Sequence, residues 1–533
     1  MRRSSSPPAR ASSPDRCFRR GSSAGRSPRS AGSSARSPRA RPRAPDAGDR
    51  RFADPAFRDS PLYRRVMQGY LAWRHALHRL VDELDLDPKS RERGRFALTL
   101  LTDAAAPTNW LPGNPAALRR ARETSGASLW SGLRHLAADA VHNGGLPSQV
   151  DRRPFRVGAN LAVTPGQVVF RNDVLELLQY RPTTPTVRER PLVFIPPQIN
   201  KYYILDLAPG RSLIEYAVAQ GFQTFAVSWR NVTPAQREWG LGAYVAALRD
   251  ATDAAREIAG SPRLNVIAAC AGGITTATLL GHLAALGDER VSAATFLVTV
   301  LDTSVPSTVG TIVSEKTVAA AIRRSGKRGV LRGADLARAF ALLRPNDLIW
   351  SYWVGNYLLG GEPPAFDILY WNDDATNLPA ALHAEFLALF VDNSLCKPGI
   401  EVCGTPIDLG RVAADVYAVG ALTDHITPWE ACYRTPQLFG GGRTFVASSS
   451  GHIQAIVNPP TNAKARYFTN DVAGDDAQKW LAGACEQRGT WWPHWAAWLH
   501  ERSGAERPAP VELGSRAHPP LAAAPGRYVH QTV

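Results

Sequence analysis

The sequence predicts an α/β fold, in which a mostly parallel sheet is covered by helices. Three observations favour it. From Pro191 onward, short apolar runs alternate with longer segments of helical periodicity. This alternation stops after Leu301 and resumes at Val412. A turn of small residues around Cys270 joins one apolar run directly to a helical segment.

The alternating elements are predicted one by one. The strands are expected at 192–195, 223–229, 264–269, 291–301, 415–420 and 443–447, and the helices at 212–220, 244–259 and 274–286, with a further helix starting at Pro428. Parallel strands need long crossover connections, which the helices supply. The interruption carries helical patterns at 317–323, 334–343 and 379–390. We therefore expect an inserted lid at about 305–408.

The chain before residue 181 has a different pattern. Apolar residues recur at three- and four-residue spacing in 63–73 and 129–141, which predicts a mainly helical N-terminal domain over 51–180. Its end, 168–180, has the pattern of a short strand followed by a helical turn. The sheet domain with its lid is then expected over 181–533.

Residues 1–50 consist mostly of Arg, Ser, Pro, Ala and Gly, with Phe18 as their only aromatic residue. Such a composition buries too little apolar surface to offset the entropy of ordering, so we expect a disordered leader. It holds 13 arginines against 3 aspartates, which accounts for most of the formal net charge of +15. A solvated tail is favoured over a polyanion-binding arm or a transit peptide, and we expect no nucleic-acid partner.

Other compositional signals concern the compartment. The 6 cysteines are scattered without the spacing of a disulfide framework, which favours the reducing cytoplasm over an oxidising compartment. No secretory apolar region follows Met1, and no uncharged apolar run reaches roughly 18 residues, so we expect neither export nor a membrane span.

Cys270 lies in the turn between the predicted strand 264–269 and the predicted helix 274–286. Serine hydrolases of the α/β-hydrolase fold carry their nucleophile on such a turn, beside the first N–H groups of a helix. Asp424 and His452 follow in the chain order nucleophile, acid, histidine of that fold. The trio predicts acyl chemistry through a thioester, with His452 as general base.

Several roles stay open at this stage. His425 competes with His452 as the base but ranks second, and His452 is also compatible with a plain surface loop. Asp424 is expected to orient His452 or to act as a base toward a substrate hydroxyl. An oxyanion hole needs two donors, and we expect the backbone N–H groups of Ala271 and Ile199. The two prolines before Ile199 are equally compatible with a plain rigid turn.

Longer motifs accompany these residues. They are 196–203 (PPQINKYY), 228–231 (SWRN), 344–350 (RPNDLIW), 403–409 (CGTPIDL), 424–429 (DHITPW), 449–454 (SSGHIQ) and 458–460 (NPP). Together with the cysteine turn they resemble the poly(3-hydroxyalkanoate) synthases from about Arg51 to the C-terminus. The amino-acid sequence of these motifs is most similar to that of the class II enzymes, which favour medium-chain 3-hydroxyacyl-CoA.

The resemblance implies that (R)-3-hydroxyacyl-CoA is polymerised into a polyester with CoA as a product, without metal or cofactor. Cys270 would carry the acyl chain, His452 would be its base, and Asp424 would activate the 3-hydroxyl group of the growing chain. It implies an α/β-hydrolase domain with a lid, a helical N-terminal domain, a homodimer, and a cytoplasmic enzyme on polyester granules. The substrate pocket is expected to include Thr299, Gln454 and His425.

The sequence departs from the family pattern beside the nucleophile. Ala268 replaces a usual glycine, and its methyl group is expected to crowd the turn without abolishing activity. Ala271 replaces a usual serine but keeps its N–H. Two other functions remain as alternatives, namely a cysteine hydrolase of esters or thioesters and a non-catalytic granule-associated protein.

Overall fold

An 11-stranded mixed sheet organises the structure, a computed structural model that describes residues 44–45, 49–397 and 399–532. Its strands, in chain order, are β1 (Gly166–Arg171), β2 (Leu175–Tyr180), β3 (Leu192–Ile195), β4 (Thr224–Trp229), β5 (Leu264–Ala269), β6 (Val291–Leu297), β7 (Asp415–Ala421), β8 (Arg443–Ser448), β9 (Arg466–Thr469), β10 (Cys485–Arg488) and β11 (Ala522–Ala523). The leader predicted over 1–50 falls almost entirely outside the described residues.

The strand order is β10-β9-β8-β7-β6-β5-β3-β4-β2-β1-β11. The central strands from β8 to β4 pair in parallel. The outer strands pair antiparallel. The predicted α/β class, an α/β-hydrolase fold, is confirmed, and every predicted strand is present.

Helices cover both faces of the parallel part. The connecting helices are Leu213–Ala219, Leu241–Ala259, Ala271–Ala285 and Trp429–Arg434. Within β3, Val193 and Ile195 join the core cluster on one face, while Leu192 and Phe194 join the cluster on the other. Because successive side chains of a strand point to opposite faces, a strand buried on both faces is apolar throughout. This explains why the continuous apolar runs predicted the central strands.

The helical N-terminal region comprises Ala56–Asp59, Pro61–Glu83, Pro88–Ala104, Pro115–Glu123 and Ala127–His142. The structure differs from the expectation at 166–180, where β1 and β2 form an antiparallel pair that extends the main sheet. All six residues of β2 are buried, although Glu176 and Gln179 are polar. These polar residues obscured the strand pattern, and the sheet extends into the residues predicted to belong to the helical domain.

The lid lies in the long connection between β6 and β7, which are parallel neighbours in the sheet. Its helices are Thr308–Ile312, Glu315–Arg328, Gly333–Leu343, Asp367–Asp373 and Ala380–Asp392. Two π-helical turns, Asn346–Trp350 and Trp353–Leu358, were not predicted. π-Helical turns are rare in proteins, and those that occur are frequently found at functional sites.

The N-terminal helices pack on these π-helical turns. The Tyr357 hydroxyl donates to Asp139 Oδ2 at 2.7 Å, and Arg51 Nη1 donates to Asn346 Oδ1 at 3.2 Å. Gln149 Nε2 donates to the Leu348 carbonyl at 2.6 Å. The N-terminal region is therefore joined to the lid by specific polar contacts.

The end of the chain closes the sheet edge. β11 pairs with β1, and the fully buried Glu176 carboxylate accepts the backbone N–H groups of Arg527 and Tyr528, both at 2.9 Å. The Gln531 side chain accepts the Asn231 N–H at 3.0 Å. Among the residues that the structure describes, none of the helices has both the length and the apolar content needed to cross a bilayer.

Candidate active site

Cys270 occupies a strained turn between β5 and the helix Ala271–Ala285, which we call the elbow helix. Its backbone has φ 50° and ψ −122°, a conformation that side-chain-bearing residues rarely adopt. The Cys270 N–H donates to the Leu297 carbonyl at 2.9 Å, which anchors the turn to β6. Strain of this kind costs about 1–3 kcal/mol and is concentrated at functional sites. The turn leaves the Cys270 side chain partly exposed at the carboxyl edge of the sheet.

The close approach that requires glycine lies at Gly272. A methyl group there would meet the Pro196 carbonyl oxygen at 2.5 Å and the Ile195 carbonyl oxygen at 2.7 Å. Ala268, by contrast, is buried in β5 as part of the core cluster that includes the elbow-helix residue Ala277. The methyl group of Ala268 therefore contributes to core packing, and the Ala268→Gly substitution tests whether it also crowds the turn.

We predict that Ala268→Gly lowers stability and does not raise the catalytic rate. Glycine inside a strand loses backbone entropy and here also loses a buried methyl group, so the free energy of unfolding is expected to fall by about 1–2 kcal/mol. The catalytic rate is expected to stay within about threefold of the wild-type rate. Urea denaturation and an activity assay measure the two quantities. A tenfold gain in rate would contradict the prediction.

His452 and Asp424 form a buried pair beside this turn. His452 Nδ1 lies 2.6 Å from Asp424 Oδ2, and the two side chains are 9% and 0% exposed. His452 begins the short helix His452–Ile456 after β8, and Asp424 follows β7. Because Nδ1 faces the carboxylate, Nε2 is the nitrogen left for a proton from the thiol. The structure thus brings together the three residues of the predicted trio.

The Asp424 carboxylate is fully engaged by its surroundings. Its Oδ1 accepts the Ile426 and Thr427 N–H groups at 2.8 and 3.1 Å. Its Oδ2 accepts the Thr427 hydroxyl at 2.6 Å as well as His452. Burial by itself would raise the pKa of Asp424, but the charge of His452 and these hydrogen bonds hold it below its ordinary value. The geometry favours a carboxylate that orients His452.

The neighbours of His452 change its basicity. Burial by itself would lower the pKa of His452, but the Asp424 carboxylate and then the Cys270 thiol raise it from 6.5 to about 10. A protonated imidazole beside sulfur stabilises a thiolate, which is the nucleophilic form of cysteine. The pair is therefore suited to taking the thiol proton and later returning it.

This pKa predicts how the pair contributes to stability. The contribution of His452 is full below its unfolded pKa of 6.5 and is lost as pH rises through about 10. The contribution of Asp424 is present above 3.8 and is lost as pH falls through its lowered folded pKa. Between about pH 3.8 and pH 6.5, we expect the unfolding free energy of the wild-type protein to exceed that of Asp424→Asn by about 3 kcal/mol. Denaturation at a series of pH values should show this difference becoming smaller from pH 6.5 toward pH 10. A difference that stays constant over this range would contradict the pairing of His452 with Asp424.

The predicted oxyanion donors lie on two adjoining segments. Ala271 is the first residue of the elbow helix, so its N–H has no acceptor within the helix. Ile199 belongs to 196–200, which we call the oxyanion loop. Gln198 Nε2 of this loop donates to Thr275 Oγ1 of the elbow helix at 2.8 Å. The loop therefore lies against the first turns of the elbow helix, as an oxyanion hole made by the two N–H groups requires.

The three expected pocket residues have different surroundings. Thr299 is 1% exposed, and its hydroxyl donates to the Leu297 carbonyl at 3.0 Å and lies 3.4 Å from the Cys270 carbonyl oxygen. Gln454 lies on the His452 helix with an exposed side chain. Burial and the nearby Arg344 lower the pKa of His425. Thr299 thus contacts the nucleophile turn, whereas the pocket roles of all three residues stay predictions.

Thr427 is a site residue that was not singled out from the sequence. Its hydroxyl lies 3.0 Å from His452 Nδ1 in addition to its bond with Asp424. An Asp followed three residues later by Thr is a turn signal, because the Asp side chain accepts nearby N–H groups. Within residues 49–397 and 399–532, no three His, Cys, Asp or Glu side chains form a group that would hold a metal ion.

Comparison with known proteins adds to this geometry. Residues 48–217 match a family described as poly-beta-hydroxybutyrate polymerase (PhaC) N-terminus, and residues 191–459 match the alpha/beta hydrolase fold. The chain is 53% identical to poly(3-hydroxyalkanoate) polymerase 1 of Ectopseudomonas oleovorans, covering 92% of this chain and 87% of that protein. It is 51% identical to polymerase 2 of the same organism, with the same two coverages. It is 43% identical to the polymerase subunit PhaC of Cupriavidus necator, covering 90% and 83%.

Proposed function

The chain belongs to the poly(3-hydroxyalkanoate) polymerase family, and on this premise we propose that it polymerises (R)-3-hydroxyacyl-CoA, releasing CoA, through a thioester on Cys270. The family membership makes it an acyltransferase. The observation that carries the mechanism is the buried His452–Asp424 pair, 2.6 Å apart, next to the strained Cys270 turn. A thiol, a base and an orienting acid are the groups that covalent acyl transfer needs.

In the acylation step, His452 Nε2 takes the proton of the Cys270 thiol. The thiolate attacks the carbonyl carbon of the acyl-CoA thioester, and the carbonyl oxygen becomes an oxyanion held by the N–H groups of Ala271 and Ile199. The bond between that carbon and the CoA sulfur then breaks. The CoA sulfur takes the proton from His452, so the step ends with acyl-Cys270 and free CoA.

In the elongation step, a 3-hydroxyl group takes the place of the thiol as nucleophile. His452 accepts its proton, the hydroxyl oxygen bonds to the acyl carbon, and the bond to Cys270 Sγ breaks, which forms one ester. His452 then gives the proton to Cys270 Sγ, which restores the thiol. Water would give hydrolysis in the same way, so the outcome depends on the exclusion of water. The lid inserted between β6 and β7 is the element available for this exclusion.

Incubation with 3-hydroxyoctanoyl-CoA tests the function. We expect stoichiometric appearance of free thiol together with insoluble polyester. A cysteine hydrolase would instead yield free hydroxy acid, and a non-catalytic granule protein would release no CoA from either short or medium substrates. The resemblance to class II enzymes leads us to expect faster release from medium-chain than from short-chain substrates.

The helix Ala127–His142 supports the proposed contact with a polyester granule. Its Trp130, Leu133 and Val141 are 66%, 54% and 74% exposed, whereas Gly132 and Asp139 face the interior. An exposed apolar stripe of this kind suits an apolar surface. The double change Trp130→Ser with Leu133→Ser should weaken co-sedimentation with granules, and Arg134→Ser on the same helix is the control. If the double variant co-sediments with granules as well as the Arg134→Ser control does, the contact between this helix and the granule is refuted.

The family resemblance also leads us to propose a homodimer in the cytoplasm. Light scattering of the purified protein measures the dimer directly, and a monomeric mass at working concentration would refute it. Fractionation of producing cells tests the location on cytoplasmic granules.

A further inference from the structure

A short lid segment, 371–376, contacts the oxyanion loop and the residues just after it. We call this segment the latch. Trp371 Nε1 donates to the Lys201 carbonyl at 2.7 Å. Lys201 Nζ lies 2.8 Å from Asp374 Oδ1, and the Tyr203 hydroxyl donates to Asp374 Oδ2 at 2.9 Å. The latch therefore holds both the backbone and the side chains of this stretch.

Thr376 carries the latch into the oxyanion loop itself. Its hydroxyl donates to the Gln198 carbonyl at 2.7 Å, and its N–H approaches the Ile199 carbonyl at 3.5 Å. On the opposite side, the Gln198 side chain is bonded to Thr275 of the elbow helix. The peptide unit that contains the Ile199 N–H has the Gln198 carbonyl as its other half, so the hydroxyl of Thr376 fixes the direction of that N–H.

The latch contacts are buried. Gln198 and Thr376 are 3% and 5% exposed, and the Lys201 and Asp374 side chains are 5% and 11% exposed. A buried ion pair adds little net stability compared with an apolar pair, but it penalises every arrangement that separates its members. Such a pair is well suited to fixing the position of the lid relative to the loop.

We propose that Thr376 and the Lys201–Asp374 pair are positioning residues that aim the Ile199 N–H at the substrate oxyanion, so that lid docking and formation of the oxyanion hole are one event. The inference rests on the proposed function. It implies that a lid swung away from the loop exposes the acyl group to water but also removes the donor that activates it. The design would protect the thioester from hydrolysis while the site is open.

Thr376→Val is the principal test, because valine keeps the shape of threonine and removes the hydroxyl. Losing one oxyanion donor costs about 10²–10³-fold in rate, and misdirecting it should cost about 10–100-fold in the single-turnover release of CoA. The Michaelis constant is expected to change by less than about threefold. Alkylation of Cys270 by iodoacetamide needs no oxyanion hole and should proceed at the wild-type rate. Thr376→Ser, which retains the hydroxyl, should restore CoA release.

Thr252→Val is the matched control. Thr252 is 0% exposed, and its hydroxyl donates to the Arg249 carbonyl at 2.8 Å within the helix Leu241–Ala259. Thr252→Val should lose any stability that depends on a buried threonine hydroxyl, as Thr376→Val does, but it should acylate at the wild-type rate. The double change Lys201→Met with Asp374→Leu gives a second test that leaves no unpaired buried charge, and it should also slow acylation.

The outcomes are distinguishable. Wild-type protein that releases no CoA overturns the proposed function, and the inference with it. An active wild type whose Thr376→Val variant and double variant both acylate at the normal rate overturns the inference alone. Equal slowing of acylation and alkylation in Thr376→Val would also overturn it, because the defect would then lie in the thiol and its base.

Discussion

Cys270→Ala is expected to reduce CoA release to the background rate while the protein remains folded. Without the thiol no thioester forms, and the remaining groups offer no other nucleophile in the strained turn. Loss of the covalent nucleophile lowers turnover by about 10⁶-fold in a well-studied serine protease with a catalytic triad. The thiol assay measures the rate. Mass spectrometry of wild-type protein after one turnover should place the acyl group on the peptide that contains Cys270.

Other free cysteines provide the controls for this experiment. Cys403 is exposed and hydrogen-bonded to the Gly242 carbonyl, so Cys403→Ala should keep wild-type turnover. Cys432 is 1% exposed, and its burial raises the pKa of its thiol well above the ordinary value, so it should stay unacylated. A Cys270→Ala variant that keeps a tenth of the wild-type rate would refute the nucleophile assignment.

Asp424→Asn is expected to slow acylation and elongation by similar factors, about 10³–10⁴-fold. The reason is geometric, since Asp424 is 0% exposed and its oxygens already accept from Ile426, Thr427 and His452. Without the carboxylate, the His452 tautomer that leaves Nε2 free for the thiol is no longer favoured. Single-turnover CoA release measures acylation, and chain growth on a preformed acyl-enzyme measures elongation.

The same experiment distinguishes the two roles considered for Asp424. A residue that only activates the 3-hydroxyl group would leave acylation at the wild-type rate and slow elongation alone. That split would refute the orienting role. Asp408→Asn is a suitable control, because Asp408 accepts the backbone N–H of Gly410 at 3.0 Å in an exposed turn and has no hydrogen bond to His452 or Asp424 among those of the described residues.

The sheet was predictable where strands are buried on both faces. In β3 and β5 nearly every residue is apolar, so a short apolar run had a single plausible structure once helices flanked it. The hairpin of β1 and β2 was not predictable in this way. Glu176 is polar but completely buried, and its carboxylate is paired with Arg171 and accepts the backbone N–H groups of Arg527 and Tyr528. The last two partners come from the far end of the chain, and a pairing across such a separation leaves no local signal.

The residues of the candidate site also divide into those that the sequence predicts and those that it does not. Chain order predicted the trio of Cys270, Asp424 and His452, because the fold places the carboxyl ends of its parallel strands at one edge. Thr427 and Thr376 were missed, since their importance depends on side-chain hydroxyls that reach Asp424 and Gln198 in the folded protein. The requirement for glycine at Gly272 also depends on the folded protein, because a methyl group there would meet the Pro196 carbonyl oxygen.

The anchored end of the chain has a practical meaning for protein engineering. Gln531 holds Asn231, whose side chain accepts the N–H of Asn377 at 3.0 Å, right after the latch. Truncation before Gly526, or fusion of a bulky partner directly after Gln531, would disturb the contacts by which Asn231 is held against Asn377 of the lid. Variants made for immobilisation or display should therefore keep residues 526–531 and separate any fused protein from them with a flexible spacer.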